Sequence, residues 1–260
     1  VGTIGFLPDW RDSRAYAPLL QADRSCLAWE WLRRDPSFQS EALDAIFARP
    51  SARNHPIGEE APALAWGLHA FEDPRLPAPV ARPIWAACRH SLVLEAVAEP
   101  CRPGPDAFEL ERFARLATLV HGREAGRLLL CDGLRFIRLD IGGCRLAGGP
   151  VRLHYQVSGL ESAARPLYVL QRFLALVQRN AFVPSLHPPW RRAGRQALLL
   201  RAFDALANGA SQREIASQLL SARASEARWR IETASVRAQS QRLVRAARAM
   251  AAGEYWGLLR

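Results

Sequence analysis

Gly209-Ala210-Ser211-Gln212-Arg213-Glu214-Ile215-Ala216 decides how this chain is read. Upstream, Leu198, Phe203, Leu206 and Ala207 recur at helical spacing, and Asn208-Gly209 stops that helix because glycine enters positive φ without steric cost. Ser211 is placed to cap a second helix, with Glu214 three residues on to complete a capping box. Ile215, Leu219 and Leu220 then face back onto the first helix. A third helix is predicted to start near residues 233–235. Helix, tight turn, short helix and basic helix form a helix-turn-helix, the geometry that offers a helix to the DNA major groove.

On a wheel of 100° per residue, Val236, Ser240, Leu243, Ala247 and Met250 of that third helix fall on one narrow face. Arg237, Gln241, Arg242, Arg245 and Arg248 fall on the other side, and no acid occurs between Glu232 and Glu254. Surface helices ordinarily mix both signs, so a one-sign face argues against a merely solvated one. Arginine and glutamine suit bidentate contacts with base edges, and arginine also clamps phosphate. The first turns enter the groove in this architecture. Ser235, Arg237, Ala238, Gln239 and Arg242 are therefore the candidates for base contact. Arg191, Arg192, Arg195, Ser211, Gln212, Arg213, Gln241, Arg245 and Arg248 are the candidates for phosphate.

Charge is distributed to match. The chain of 260 residues has a formal net charge of +10, and all 35 of its basic residues are arginine. Residues 187–260 hold 13 arginines against 5 acids, so most of the excess lies in the last quarter. Such a field attracts phosphates and makes binding salt-dependent. A membrane-surface helix is disfavoured, because the apolar face is narrow and lacks Trp or Phe. No transmembrane run and no signal peptide are expected. The five cysteines form no C-x-x-C pair and read as reduced thiols, which points to a bacterial cytoplasmic protein.

The rest of the chain predicts an α+β protein in three segments. Residues 1–55 form a small Trp-rich helical unit, with Ser25 capping a helix that ends at Asp35-Pro36, and a further helix over 39–48. Trp10, Tyr16, Trp29, Leu32 and Phe38 form its aromatic core. Trp29 and Trp31 point to different sides of one helix, so one is either a partner surface or a second core contact. Trp29, Trp31, Arg33 and Arg34 are the candidate partner surface. Residues 56–187 read as a linker with a short helix to about residue 83, anchored by Trp66, Leu68 and Phe71, then a small antiparallel sheet of three to five strands. Its strands are expected at 83–85, 91–97, 127–131, 134–141 and 151–157, with a hairpin at Asp132-Gly133. Helices are expected over 107–118 and 167–179. Residues 188–260 are the helix-turn-helix domain.

The final hundred or so residues, from Gly149-Pro150-Val151 onward, resemble the RovC-like DNA-binding domain. The resemblance runs through Asp204-Ala205-Leu206-Ala207, the turn quoted above, Leu243-Val244-Arg245-Ala246-Ala247 and Gly253-Glu254-Tyr255-Trp256-Gly257-Leu258-Leu259-Arg260. Pro8-Asp9-Trp10-Arg11-Asp12 and Ala28-Trp29-Glu30-Trp31-Leu32-Arg33-Arg34-Asp35-Pro36 resemble the small transcriptional-regulator-like domain found beside it. The layout is similar to FseA-type activators of integrative and conjugative elements. The resemblance implies transcription activation by direct DNA binding, for a mobile-element or secretion-type gene cluster, and no catalysis.

No metal or cofactor site is expected: six scattered histidines, one Cys88/His90 pair and glycine pairs without a phosphate-loop lysine give no ligand set. The expected partners are double-stranded DNA, RNA polymerase or an antiactivator, and a second copy of the chain, since such modules bind two half-sites. The alternatives are a DNA-architectural or excision factor, and a module holding an acidic helix.

Overall fold

The computed structural model describes residues 7–48, 60–122, 125–220 and 234–260. Among these, the chain separates into two compact units: residues 1–35 with 189–258, and residues 36–188 with 259–260. The three sequence segments do not coincide with them. The N-terminal residues join residues 189–258, whereas the helix beginning at Pro36 belongs with the sheet.

The first unit opens with a 3-10 helix, Ser13–Gln21, capped by the Asp12 carboxylate accepting from the Arg14 amide. Pro18 lies inside it and lacks an amide hydrogen, which disfavours a regular α-helical turn. Helix α1 (Arg24–Leu32) follows. Its N-cap is Asp23, not Ser25, which is buried inside the first turn. Helix α5 (Ala193–Ala207), α6 (Gln212–Leu219) and α7 (Ala234–Ala251) complete the unit, with a closing 3-10 turn at Glu254–Leu259. α7 packs on both α5 and α6, and α1 packs on α5 and α7.

The second unit contains α2 (Pro36–Ala48), α3 (Glu60–Ala65), five strands and α4 (Ala164–Arg179). Pro36 opens α2 where its missing amide hydrogen costs nothing, so that helix starts three residues before the expected 39. The stretch expected to be a linker with a short helix does hold one, α3, and its aromatic anchors are packed. Trp66 Nε1 donates to Glu41 (2.7 Å), and Phe38 packs edge-on against Trp66 and near Phe71. Phe38 is thus packed among residues of this unit.

The strands are β1 (Leu94–Pro100), β2 (Ala117–His121), β3 (Ala125–Cys131), β4 (Phe136–Gly143) and β5 (Val151–Gln156), in spatial order β2-β3-β4-β1-β5. The sheet is mixed, because β1 and β4 run parallel. Three sequence expectations are corrected here. Residues 83–85 contribute only an isolated bridge, Leu68 to Trp85. Residues 107–118 hold a short 3-10 turn, Leu110–Phe113, and the start of β2, since pairing with β3 outweighs local helical preference. The Asp132-Gly133 turn does join β3 and β4, with Cys131 opposite Phe136, so the loop has four residues rather than two. β4 is central and buried on both faces from Phe136 to Leu139, which explains its imperfect apolar alternation. α4 covers one face through Val169, Phe173 and Leu176.

Candidate nucleic-acid interface

The turn between α5 and α6 is specified at both ends. The Ala210 amide donates to the Ala205 carbonyl and the Gly209 amide to the Leu206 carbonyl, the two bonds of a Schellman ending. Gly209 sits at φ 75°, where a side chain would be strained. On the far side, Ser211 Oγ accepts from the Glu214 amide (3.2 Å), and the Ser211 amide donates to Glu214 Oε2 (2.8 Å). Those hydrogen bonds hold the Glu214 carboxyl below its usual range, first through the Ser211 backbone and then its side chain. This is the capping box the sequence predicts. It also absorbs the Ser211 hydroxyl, which donates to Glu214 Oε2 as well (2.9 Å). Ser211 is thus committed to the cap and is a poor phosphate donor, a correction to its expected role. Gln212 and Arg213, beside it, are exposed.

α7 is held on one side and open on the other. Ser240, Leu243, Val244, Ala247 and Met250 are buried, and Val236 is half-buried. The expected stripe is therefore the packed one, widened by Val244. Ser240 adds direction: its hydroxyl donates to the Gln212 carbonyl in the first turn of α6 (3.2 Å). This part-buried bond links the register of α7 to the capped turn, because sliding would take the buried Ser240 hydroxyl away from its acceptor.

Ser235, Arg237, Gln239, Gln241, Arg242, Arg245 and Arg248 are all exposed, and Ala238 is half-buried. Among the described residues, no carboxylate pairs with Arg237, Arg242, Arg245 or Arg248. Arg237, Gln241 and Arg248 line one flank of the open arc, Ser235 and Arg242 the other, with Ala238 and Arg245 near its middle. From Arg237 to Arg248 is roughly 16 Å along the axis at 1.5 Å per residue. Small alanines between arginines let the helix approach a nucleic-acid edge closely. The helix, expected to begin within 233–235, is described from Ala234; Thr233 lies outside the described residues.

Arg191, Arg192 and Arg195 form a separate exposed cluster at the start of α5, the end remote from the turn. The first turn of α5 carries no acid, so its amides and these guanidinium groups present the same sign. That arrangement suits an anion.

Sequence reasoning misplaced one set. Trp29, Trp31, Arg33 and Arg34 are buried, at most 4% exposed, and cannot be a partner surface. Trp31 Nε1 donates to Gln196 Oε1 on α5 (3.0 Å), and its ring packs edge-on against Phe203. Arg34 makes a two-pronged pair with Asp204 on α5, both N–O distances 2.7 Å, while Glu30 accepts from both Arg33 and Arg34. Tyr16 donates to the same Asp204 carboxylate at 2.5 Å. Two cations and two anions thus cancel inside the core. Burial opposes the Arg34 charge, but Asp204 and Glu30 together more than reverse this and raise its pKa. Burial first, then Asp204, pushes Tyr16 well above its usual range, so it stays a neutral donor. The signal available in the sequence was Asp204 itself, the one acid in the otherwise apolar run Ala202 to Ala207.

Residues 160–260 match the RovC DNA-binding domain model, described as a T6SS transcription factor DNA-binding domain. Residues 9–69 match the proteobacterial transcriptional regulator-like domain. No curated protein matches the chain. Among the described residues, no helix is long and apolar enough to cross a membrane. An arginine-faced helix set on a capped turn, inside a segment similar to a RovC DNA-binding domain and in one chain with a regulator-like segment, supports a DNA-binding transcriptional regulator.

Proposed function

We propose that the chain is a sequence-specific activator of a mobile-element or secretion-type gene cluster, acting in the bacterial cytoplasm on the nucleoid as a homo-oligomer. The observation that carries this reading is the exposed, acid-free face of α7, positioned by its buried stripe and by the Ser240–Gln212 bond. In this reading Ser235, Arg237, Ala238, Gln239 and Arg242 meet base edges. Arg245, Arg248, Gln241, Gln212 and Arg213 meet phosphates beside them, and Arg191, Arg192 and Arg195 hold a second stretch of backbone. Activation requires a contact with RNA polymerase, or release from an antiactivator, through a surface other than the buried Trp29–Arg34 group.

Footprinting on the genomic DNA flanking its own gene, joined to a promoter reporter, tests the proposal. A protected site of one to two helical turns and a rise in transcript are expected. Protection without any rise, accompanied by altered excision of the element, would replace activation with an accessory role. Uniform retardation of all fragments would remove sequence specificity.

A further inference from the structure

Among the described residues, eight large apolar side chains are exposed, and four of them fall within residues 157–174: Val157, Leu160, Leu167 and Leu174. Leu160 is wholly exposed, Leu167 about half and Leu174 39%. Leu167 and Leu174 are seven residues apart on α4, so they lie almost in line on one face. Leu170 and Val177, half-buried, border that line on the side turned toward the sheet core. Gln171, Gln178, Ala164 and Ala175 border it on the other. The charged residues of α4, Arg165, Arg172 and Arg179, are gathered about 120–160° away around the helix. Apolar side chains exposed singly are ordinary; here two stand in line on one helix face with Leu170 and Val177 beside them, and such clustering is what marks an interaction surface.

We infer that the Leu167–Leu174 face of α4 is a self-association surface, its occupant the same face of a second copy. The charge pattern selects this occupant. In a chain of net charge +10, two copies meet with least repulsion through a region free of like charges, and this stripe is neutral with glutamines and alanines at its edge. An isologous contact sets the stripe against itself, leucine on leucine, with no cation buried. A strongly acidic partner would find no counter-charge there. A second copy also supplies what a single reading helix lacks, a second half-site; that clause rests on the DNA-binding reading, whereas the association itself does not.

The test uses the full chain in two charge-reversed forms, Leu167→Glu/Leu174→Glu and Leu167→Lys/Leu174→Lys. Sedimentation should show the wild-type chain associated at micromolar concentration and each variant one step smaller, with unchanged circular dichroism. An equimolar mixture of the two variants should restore association, because opposite charges then face each other. On a two-half-site duplex each variant alone should bind roughly 100-fold more weakly, as linked binding is lost, while binding to a single half-site persists. A wild-type monomer, variants that stay associated, or a mixture that fails to recover each overturns the inference. Loss of half-site binding by the wild-type chain would instead overturn the DNA reading and leave the association result standing.

Discussion

Arg33 and Arg34 on one side, and Arg237, Arg242, Arg245 and Arg248 on the other, are the same side chain put to opposite uses within one compact unit. The first two are buried and matched by Glu30 and Asp204. The four on α7 are exposed with no described carboxylate beside them. The difference lies in the acids. A guanidinium leaves water only when a carboxylate goes with it, so an arginine run near well-placed acids becomes core, and one without them stays at the surface for an external anion. Arginine density alone therefore says nothing about partners.

The largest effect should come from unbalancing the buried set. Asp204→Asn removes one anion while Arg34 and Tyr16 remain buried, and breaking a buried pair this way costs about 3–5 kcal/mol. Urea unfolding should show that loss. Replacing Tyr16 with Phe removes only a neutral donor and should cost about 1–2 kcal/mol. Equal losses for the two would mean that Arg34 is not held mainly by Asp204.

The second unit offers a variant of the same comparison. Arg138 is buried and pairs with Asp140 at 2.7 Å, with Arg127 3.6 Å from the same oxygen. His69 lies within this field: burial first, then the Arg138 and Arg127 charges, bring its pKa down to about 4, against an opposing pull from Asp140. Its unfolded value is about 6.5. Above pH 6.5 both states are neutral at this ring and stability is flat. Below it the unfolded chain takes up a proton that the folded one refuses, so stability falls as the pH drops from about 6.5 towards 4, by at most about 1.4 kcal/mol per pH unit. Urea midpoints at pH 7, 6 and 5 should follow this slope, and His69→Gln should flatten it. An unchanged slope would remove His69 from the cluster.

On α7 the expected effects are smaller and separable. Arg237→Ala should cost about 1–3 kcal/mol and relax preference at one base position. Arg245→Ala should weaken all sequences alike and reduce the slope of log affinity against log salt by about one unit. Titrations at three salt concentrations distinguish the two. Should Arg245→Ala alter base preference instead, the middle of the open arc, and not its flank, reads the groove.

Legibility followed the range of the interactions. The Asn208–Glu214 turn, the buried stripe of α7 and its arginine face were readable because each is set by neighbours within four residues. The Asp132-Gly133 turn was readable for the same reason, although its loop length was not. What failed was non-local. Whether the end of the expected 107–118 helix becomes strand instead depends on pairing with β3, and the fate of Trp31 and Arg34 depends on α5, some 170 positions away. Glu30, four residues before Arg34, hinted at an ion pair but not at its burial. The parallel pairing of β1 with β4 leaves no local mark either.

Ser211 brings these threads to one atom. Its hydroxyl was open to two uses, capping α6 or meeting phosphate, and local geometry assigns it to Glu214 in both directions. Ser211→Ala should therefore cost about 1 kcal/mol of stability, the usual value of an N-cap. It should leave the salt dependence of DNA binding where it was, since no charged contact is lost. Gln212 still offers its carbonyl to Ser240, so α7 keeps its register unless α6 frays. If instead the variant keeps its stability but binds DNA several-fold more weakly at every salt concentration, the hydroxyl must leave Glu214 when DNA arrives. The capped turn would then be a contact surface in its own right, and not only the prop of the helix that follows.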